Sequence, residues 1–571
     1  MSRSVIEVNL VSIDVLTFSE GRVGSGKVCP IQHSARSCPE HLDRLGYYAN
    51  LFLVLPSERE EAMEEISESA IQSSFRGAAV FVTGGTGFLG KLLLEKLLRS
   101  CPGIKTIFIL VRPKKGKTEK ERLSELFDEV LFERMKAACP EYASKVKLVP
   151  GDCGLPELGL SVEDSELLCQ EVNYIFHIAA TVRFDEKLKS AVHINVRGTK
   201  HILQLAKSMV QLKCVLHVST AYANCPSKQI DEKFYTPPLR CDEIVNLVEV
   251  MPEDVLERIT PILLDKWPNT YTYTKAIAED TVREFGKGLP IALVRPAIVI
   301  STAKEPIPGW VNNVYGATGV VVGAGLGLLR TMHCDKDVTA ELVPADMVVN
   351  MFIVTAWNVA TKHELKTNPE ATDSGDEIPI LNYVSSVENR LTWGEYMKYN
   401  EIGKRYPSVR VIWYYYFRLN KHRFVYNFYA VFLHYLPALI VDTLARIVGK
   451  EPILWNAYKK IHKFVDVISY FSVQQWKFTN YNTQAMWKQL NPLDRELFNF
   501  NMADVEWEKT FELCMQGLRT HIGQDPPDNL EYARKRYRNL KIVHYTVKYT
   551  VIFIFMSLLV FTLLFLFNFN Q

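Results

Sequence analysis

The stretch VFVTGGTGFLGKLLLEKLL, residues 80–98, passes from a β-rich segment into a helical one with an apolar stripe, with glycines at 84, 87 and 90. Each glycine answers a steric demand. Gly84 allows a tight turn, Gly87 lets the backbone approach a pyrophosphate, and Gly90 lets helix pack on strand. The helix then offers its first N–H groups and the positive end of its dipole to the phosphates. A glycine triple alone is weak, and an ordinary glycine turn competes with it. Between a first strand and a first helix it reads as a dinucleotide-binding loop.

Outward from the loop the pattern alternates. TIFILVR (106–112), KVKLVPGD (145–152), NYIFHIAA (173–180), CVLHVSTA (214–221) and IALVRPAIVI (291–300) are Val-, Ile- and Leu-rich runs separated by helical sequence. Such runs predict a doubly wound, parallel α/β sheet of Rossmann type, covered on both faces. From about residue 376 the chain turns aromatic and helical. The expected organisation is a poorly ordered extension over 1–74, a dinucleotide-binding domain over 75–375, a mostly α domain over 376–530 and a membrane anchor over 549–567. Met63 stands just before the first strong strand and is an alternative start.

The second strand ends in LVRPKKGK, with Arg112, Lys114 and Lys115 and no acid. A carboxylate there would accept hydrogen bonds from the ribose 2′-OH of NAD; cations suit a 2′-phosphate, so NADPH is expected over NADH. A solvated basic loop is the alternative. Asp152 either caps the adenine amine or is an ordinary turn residue. The expected cofactor contacts are Thr83, Gly84, Gly87, Phe88, Leu89, Gly90, Arg112, Lys115, Asp152, Ala179 and Lys275.

NTYTYTKAIAED (269–280) supplies the reactive groups. Residues four apart share a helix face, so Tyr271 aligns with Lys275 while Tyr273 points away. A lysine ammonium beside a phenol favours the phenolate, which suits Tyr271 to proton exchange near neutral pH. Ser219 ends a strand at the carboxyl edge of the sheet, where a hydroxyl can reach a substrate carbonyl oxygen.

Glycine loop, Ser219 and YxxxK occur in the order found in short-chain dehydrogenases, and the chain resembles their extended branch. TGGTGFLGK, TVRFDE, VSTAYAN, NTYTYTKAIAE, VRPAIV and PIPGWVNN, followed by QQWKFTNYNT, FNFNMADVEWEKTF and GLRTHI, resemble the alcohol-forming fatty acyl-CoA reductases from about residue 78 onward. That resemblance implies reduction of a long-chain fatty acyl-CoA by NADPH to a fatty alcohol, through a bound aldehyde and with release of CoA. It implies that Tyr271 and Ser219 hold the developing oxyanion and that Lys275 also holds the nicotinamide ribose. Asn195, in HINVRGT, matches a position where related dehydrogenases hold a water or backbone carbonyl in a proton relay; a structural hydrogen bond at a helix bend is the equal alternative. EPIPGWVNNVYGATGVVVGAGLGLL (305–329) is expected to be a mobile cover over the acyl chain or pantetheine arm.

The 66 basic and 64 acidic side chains leave a net charge of +2, which gives no electrostatic ground for nucleic-acid binding. The 11 cysteines contain no CxxC pair and argue for free thiols in a reducing compartment, against a disulfide frame or a metal site. The N-terminus lacks a secretory pattern. YTVIFIFMSLLVFTLLFLF (549–567) is uncharged and long enough to span a lipid bilayer. Arg534, Lys535, Arg536, Arg538, Lys541 and Lys548 precede it and should remain cytosolic, giving a tail-anchored protein of the endoplasmic reticulum or peroxisome. A second apolar stretch, 424–447, either dips into the interface or forms a hydrophobic wall. Two other readings share the dinucleotide loop: a membrane-bound reductase of a sterol or nucleotide sugar, and an NADPH-binding, tail-anchored scaffold.

Overall fold

The computed structural model describes residues 68–113, 116–366 and 377–569. Seven parallel strands form one sheet: β1 (Ala79–Thr83), β2 (Thr106–Val111), β3 (Val146–Pro150), β4 (Tyr174–His177), β5 (Cys214–Val218), β6 (Ile291–Pro296) and β7 (Ile380–Tyr383). Their spatial order is β7-β6-β5-β4-β1-β2-β3. Every residue of β1, β2, β4, β5, β6 and β7 is buried, as expected of a sheet covered on both faces. Alternate residues serve two cores: Val80, Val82 and Phe176 face one side, Ala79, Phe81 and Ile175 the other.

Register brings the functional ends together. Thr83 is level with His177, His177 with His217, and Val218 with Val294. The chain turns outward in opposite directions from β1 and β4, so a crevice opens at their carboxyl ends. Helix α1 (Phe88–Ser100) rises from β1, α2 (Gly198–Lys207) follows β4, and α3 (Thr270–Phe285) precedes β6. Helices α2 and α3 pack on one face of the sheet through Ile202, Leu203 and Val282; α1 packs on the other beside α4 (Ala345–Lys366), whose residues Val348, Phe352 and Val354 share its core cluster.

Two expected boundaries differ. Residues 1–67, with Met63, lie outside the described residues, but the last part of the 1–74 extension is ordered structure. Ser69 caps the helix Ala70–Ser74 through Gln72 N–H (3.0 Å), donates to Asp494, and brings Ile71 and Phe75 into the core. At 375/376 the expected division falls ahead of β7, the edge strand of the same sheet. Later segments are stitched into it: Lys477–Phe478 pairs with Gln229–Ile230, and the Asn382 amide donates to Ile230 O (3.1 Å) and Thr479 O (2.8 Å). The helical character of the remainder is as expected. Its longest members are α5 (Arg423–Ile447), α6 (Leu454–Ser472) and α7 (Leu530–Phe569). Both α5 and α7 are long and apolar enough to cross a membrane. The first half of α7 packs on 405–413, with Arg534 donating to Arg405 O (3.1 Å) and Trp413 to His544 (3.0 Å).

Candidate active site

The glycine loop has the geometry its sequence demands. Gly84 sits at φ +77°, and a Cβ there would lie 2.8 Å from the Ala179 nitrogen, so only glycine lets β1 meet the backbone beyond β4. A Cβ on Gly90 would fall 2.1 Å from Gly84 O, so α1 seats directly on the turn. Gly87 is the exposed N-cap of α1, with no side chain capping the helix. Its uncapped N–H groups and the bare backbone before them fit a dinucleotide pyrophosphate. Phe88 and Leu89 turn inward and brace the loop; Phe88 stacks on Trp310 at 5.5 Å. Thr83 is fully buried, with its hydroxyl bonded to His177 Nδ1 (2.8 Å) and accepting from Ala179 N–H (3.4 Å). Thr83 and Ala179 therefore form the floor of the crevice.

Asn269 caps α3 by accepting the Thr272 N–H at 2.9 Å, which fixes where the helix starts. Tyr271 falls in its first turn with Lys275 one turn on, while Tyr273 leaves for a separate cluster, edge-on to Trp267. The Tyr271 phenol has the Thr220 hydroxyl, which accepts Tyr222 N–H (3.3 Å), beside it, and its ring stacks on Phe184 at 5.8 Å. Burial pushes its pKa up to about 12, outweighing the neighbouring Thr220 hydroxyl, which lowers it. Lys275 is buried and donates to Val218 O at 2.6 Å. Burial pulls its pKa down to about 8, with Glu279 opposing.

Two expected partnerships are not among these contacts. Lys275 is not what governs the Tyr271 phenol, which stays protonated through neutral pH. Ser219 is not its hydroxyl partner either. Its Oγ donates to Glu279 Oε1 at 2.6 Å, two turns further along α3. Glu279 is gripped there by Arg295 (2.8 and 2.7 Å) and Asn224 (2.8 Å), in a buried polar cluster. Thr220, one residue on, takes the place beside Tyr271. Successive residues of an extended chain point to opposite sides, so VST allowed either hydroxyl; the buried Glu279–Arg295 pair that decides between them is a tertiary contact.

Asn195 lies in a π-helical turn, His193–Arg197, that bends the chain ahead of α2. Its amide clamps one residue at both ends, accepting Thr181 N–H (2.9 Å) and donating to Thr181 O (3.2 Å), and it also donates to Thr274 (3.0 Å). The structural alternative thus describes its contacts, including a backbone carbonyl. Beneath it Thr199 donates to Asn195 O (2.8 Å) and must accept from His177 Nε2 (3.1 Å), which leaves His177 Nδ1 to accept from Thr83. His177 is held neutral, at about 3, by burial and then by the Lys275 charge.

Two family models, each described as male sterility protein, match residues 82–352 and 433–525. Fatty acyl-CoA reductase wat of Drosophila melanogaster is 41% identical over 481 residues, covering 84% of this chain and 90% of that protein. Human fatty acyl-CoA reductase 1 is 36% identical over 478 residues, covering 83% and 90%. The chain belongs to the fatty acyl-CoA reductase family. It is therefore an oxidoreductase, with a nicotinamide-cofactor-binding domain matched over residues 82–352. Among solved structures, a reductase domain of a non-ribosomal peptide synthetase from Mycobacterium tuberculosis overlays with TM-score 0.49 at 16% identity, over 80% of this chain and 96% of that one.

In this reductase the stretch 305–329 is anchored rather than loose. Asp346, at the start of α4, accepts the N–H groups of Ala303, Lys304 and Glu305 (2.8, 2.8 and 3.0 Å). Glu305 pairs with Lys96 and Arg99 on α1. Gly309 and Gly327 lie so close to Leu513 O and Trp413 O that a Cβ would come within 2.1 and 2.2 Å. Along β2, Arg112 is exposed, 3.7 Å from Asp152 Oδ2, while Asp152 Oδ1 accepts Gly154 N–H in a turn. Lys114 and Lys115 lie outside the described residues. Arg122, which the sequence did not single out, donates to Arg112 O and to Thr86 Oγ1 (3.2 Å) in the glycine loop. Nothing in a charged helix thirty-odd residues past the loop announces that contact.

Proposed function

We propose that the protein reduces a long-chain fatty acyl-CoA to the fatty alcohol with NADPH, releasing CoA and holding the aldehyde in the site between two reductions. The observation that carries this reading is the placement of the Tyr271 phenol beside the Thr220 hydroxyl at the carboxyl end of β5, with Lys275 one turn away, beside the glycine cradle. Gly84, Gly87 and Gly90 would hold the pyrophosphate, and the nicotinamide when bound supplies the hydride. Tyr271 and Thr220 donate hydrogen bonds to the substrate oxygen as charge develops on it. A phenol at about 12 remains a donor at working pH and is still far more acidic than an alkyl alcohol, so Tyr271 can pass its proton to the alkoxide. Lys275 holds the cofactor ribose and keeps positive charge near that oxygen. Ser219 and Asn195 position the end of β5 and the start of α3.

Two features favour this cofactor and substrate. The guanidinium groups of Arg112 and Arg122 gather at the end of β2, where no carboxylate precedes them, which favours a 2′-phosphate. Phe184 and Phe471 lay an apolar wall against Tyr271 suited to an acyl chain. The exposed apolar half of α7 suits a bilayer anchor, with the basic flank cytosolic, in the endoplasmic reticulum or peroxisome.

The test is turnover of hexadecanoyl-CoA by the purified full chain, with NADPH or NADH. Two NADPH consumed per CoA released, with hexadecanol recovered, is expected. Tyr271→Phe should abolish CoA release and still bind NADPH. No CoA release by the unaltered protein overturns the substrate assignment and directs the search to sterols or nucleotide sugars.

A further inference from the structure

We propose that α5 (Arg423–Ile447) is seated lengthwise in the surface of a lipid bilayer, a second membrane contact in addition to α7. The helix is inside out. Its buried stripe is Tyr426, Ala430, His434, Ala438 and Asp442, an uninterrupted i, i+4 row, and three of those five residues are polar. Each has a partner inside. Tyr426 and His434 bond the two ring nitrogens of His462 (2.6 and 3.1 Å), and His434 accepts Arg330 N–H (2.9 Å). The Asp442 carboxylate accepts the first N–H groups of α6, from Leu454 (3.0 Å) and Trp455 (2.8 Å).

The outward side carries the reverse. Phe424, Phe428, Phe432, Leu439, Leu444 and Ile447 are each at least half exposed. Between Phe424 and Ala445 the only ionisable side chains other than tyrosine, His434 and Asp442, are the two turned inward. Thr443 returns its hydroxyl to Leu439 O (2.7 Å), and so offers water no free donor. A helix facing water hides its apolar side; this one hides its polar side, and a hydrocarbon surrounding is what that arrangement matches.

Cations fix which hydrocarbon. Lys421 and Arg423 stand exposed at one end, paired with Asp335 (2.8 Å) and Asp466 (2.6 Å), and Arg446 at the other, while Lys459 and Lys460 lie exposed on the neighbouring α6. That is an apolar strip bordered by positive charge, complementary to acyl chains below anionic headgroups. The inner stripe is held along its full length, so the helix lies against the body and cannot cross. The cluster behind it, including Tyr426, Ala430, Val465 and Ile468, continues to Phe184, which stacks on Tyr271. Apolar side chains therefore connect the membrane face to the site without a break.

The full chain would be reconstituted into phosphatidylcholine–phosphatidylserine vesicles containing a phosphatidylcholine with a diazirine in its acyl chain, irradiated, digested and mapped. Adducts are expected on Phe424–Ile447 as well as on 549–566. In the triple variant F428E/L439E/L444E, those on α5 should fall about tenfold while those on α7 persist. Adducts confined to α7 overturn the proposal. Labelling does not read turnover, so its outcome is separate from the assignment of the reaction.

Discussion

The hydroxyls of Ser219 and Thr220 leave the end of β5 for different partners, and two substitutions separate their roles. Thr220→Val removes the hydroxyl beside the phenol at nearly constant volume and should lower kcat/KM by about 10²-fold with little change in melting temperature. Ser219→Ala leaves the buried Glu279 carboxylate one donor short and should cost roughly 1–3 kcal/mol of stability with a smaller effect on kcat/KM. Initial rates and thermal melts on both variants check this; equal catalytic losses would refute the division. Lys275 adds a pH dependence. Its ammonium is charged below about 8 and neutral above, so kcat/KM should fall as pH rises through that value. In Lys275→Met the limb should vanish along with most of the activity, and a limb left in place would assign the titration elsewhere. The placement of Lys275 one helical turn after Tyr271 was legible because it needs only helical spacing. Thr220 was not, because the choice depends on Glu279 and Arg295, sixty and more residues away.

At the scale of the element, the β1–turn–α1 unit was almost wholly readable, since its constraints are local and each glycine has one. They are unequal constraints, and that is testable. Gly90→Ala places a methyl 2.1 Å from Gly84 O, so α1 must lift from the turn; a loss of about 1–3 kcal/mol or more and of dinucleotide binding is expected. Gly87→Ala meets only Gly84 O at 3.1 Å, so the fold should survive while cofactor affinity falls. Melting curves and cofactor fluorescence titrations distinguish the two, and unchanged affinity in Gly87→Ala would place the pyrophosphate elsewhere. The stretch 305–329 shows the opposite case. Its glycines suggested mobility, yet Gly309 and Gly327 are there because other backbone passes within contact, which composition does not reveal.

Over the whole molecule, the division of the body at residue 376 rested on a change of composition, and composition does not record pairing across long separations. Asn350 of α4 donates to Asn499 O (2.8 Å), and Trp476 donates to Cys225 O (3.0 Å). At Gly517 a Cβ would fall 1.8 Å from Gly309 O. Segments before and after 376 thus complete one another's hydrogen bonds and share the largest core cluster. Such a body should unfold in a single step. Far-ultraviolet dichroism, tryptophan fluorescence and loss of cofactor binding are expected to share one midpoint in denaturant. Gly517→Val, distant in sequence from the glycine loop, should lower all three midpoints together, because the displaced Gly309 belongs to the loop that Glu305 ties to Lys96 and Arg99 on α1. Two separated transitions, with cofactor binding surviving the first, would instead restore two independent domains and confine the stitching contacts to a weak interface.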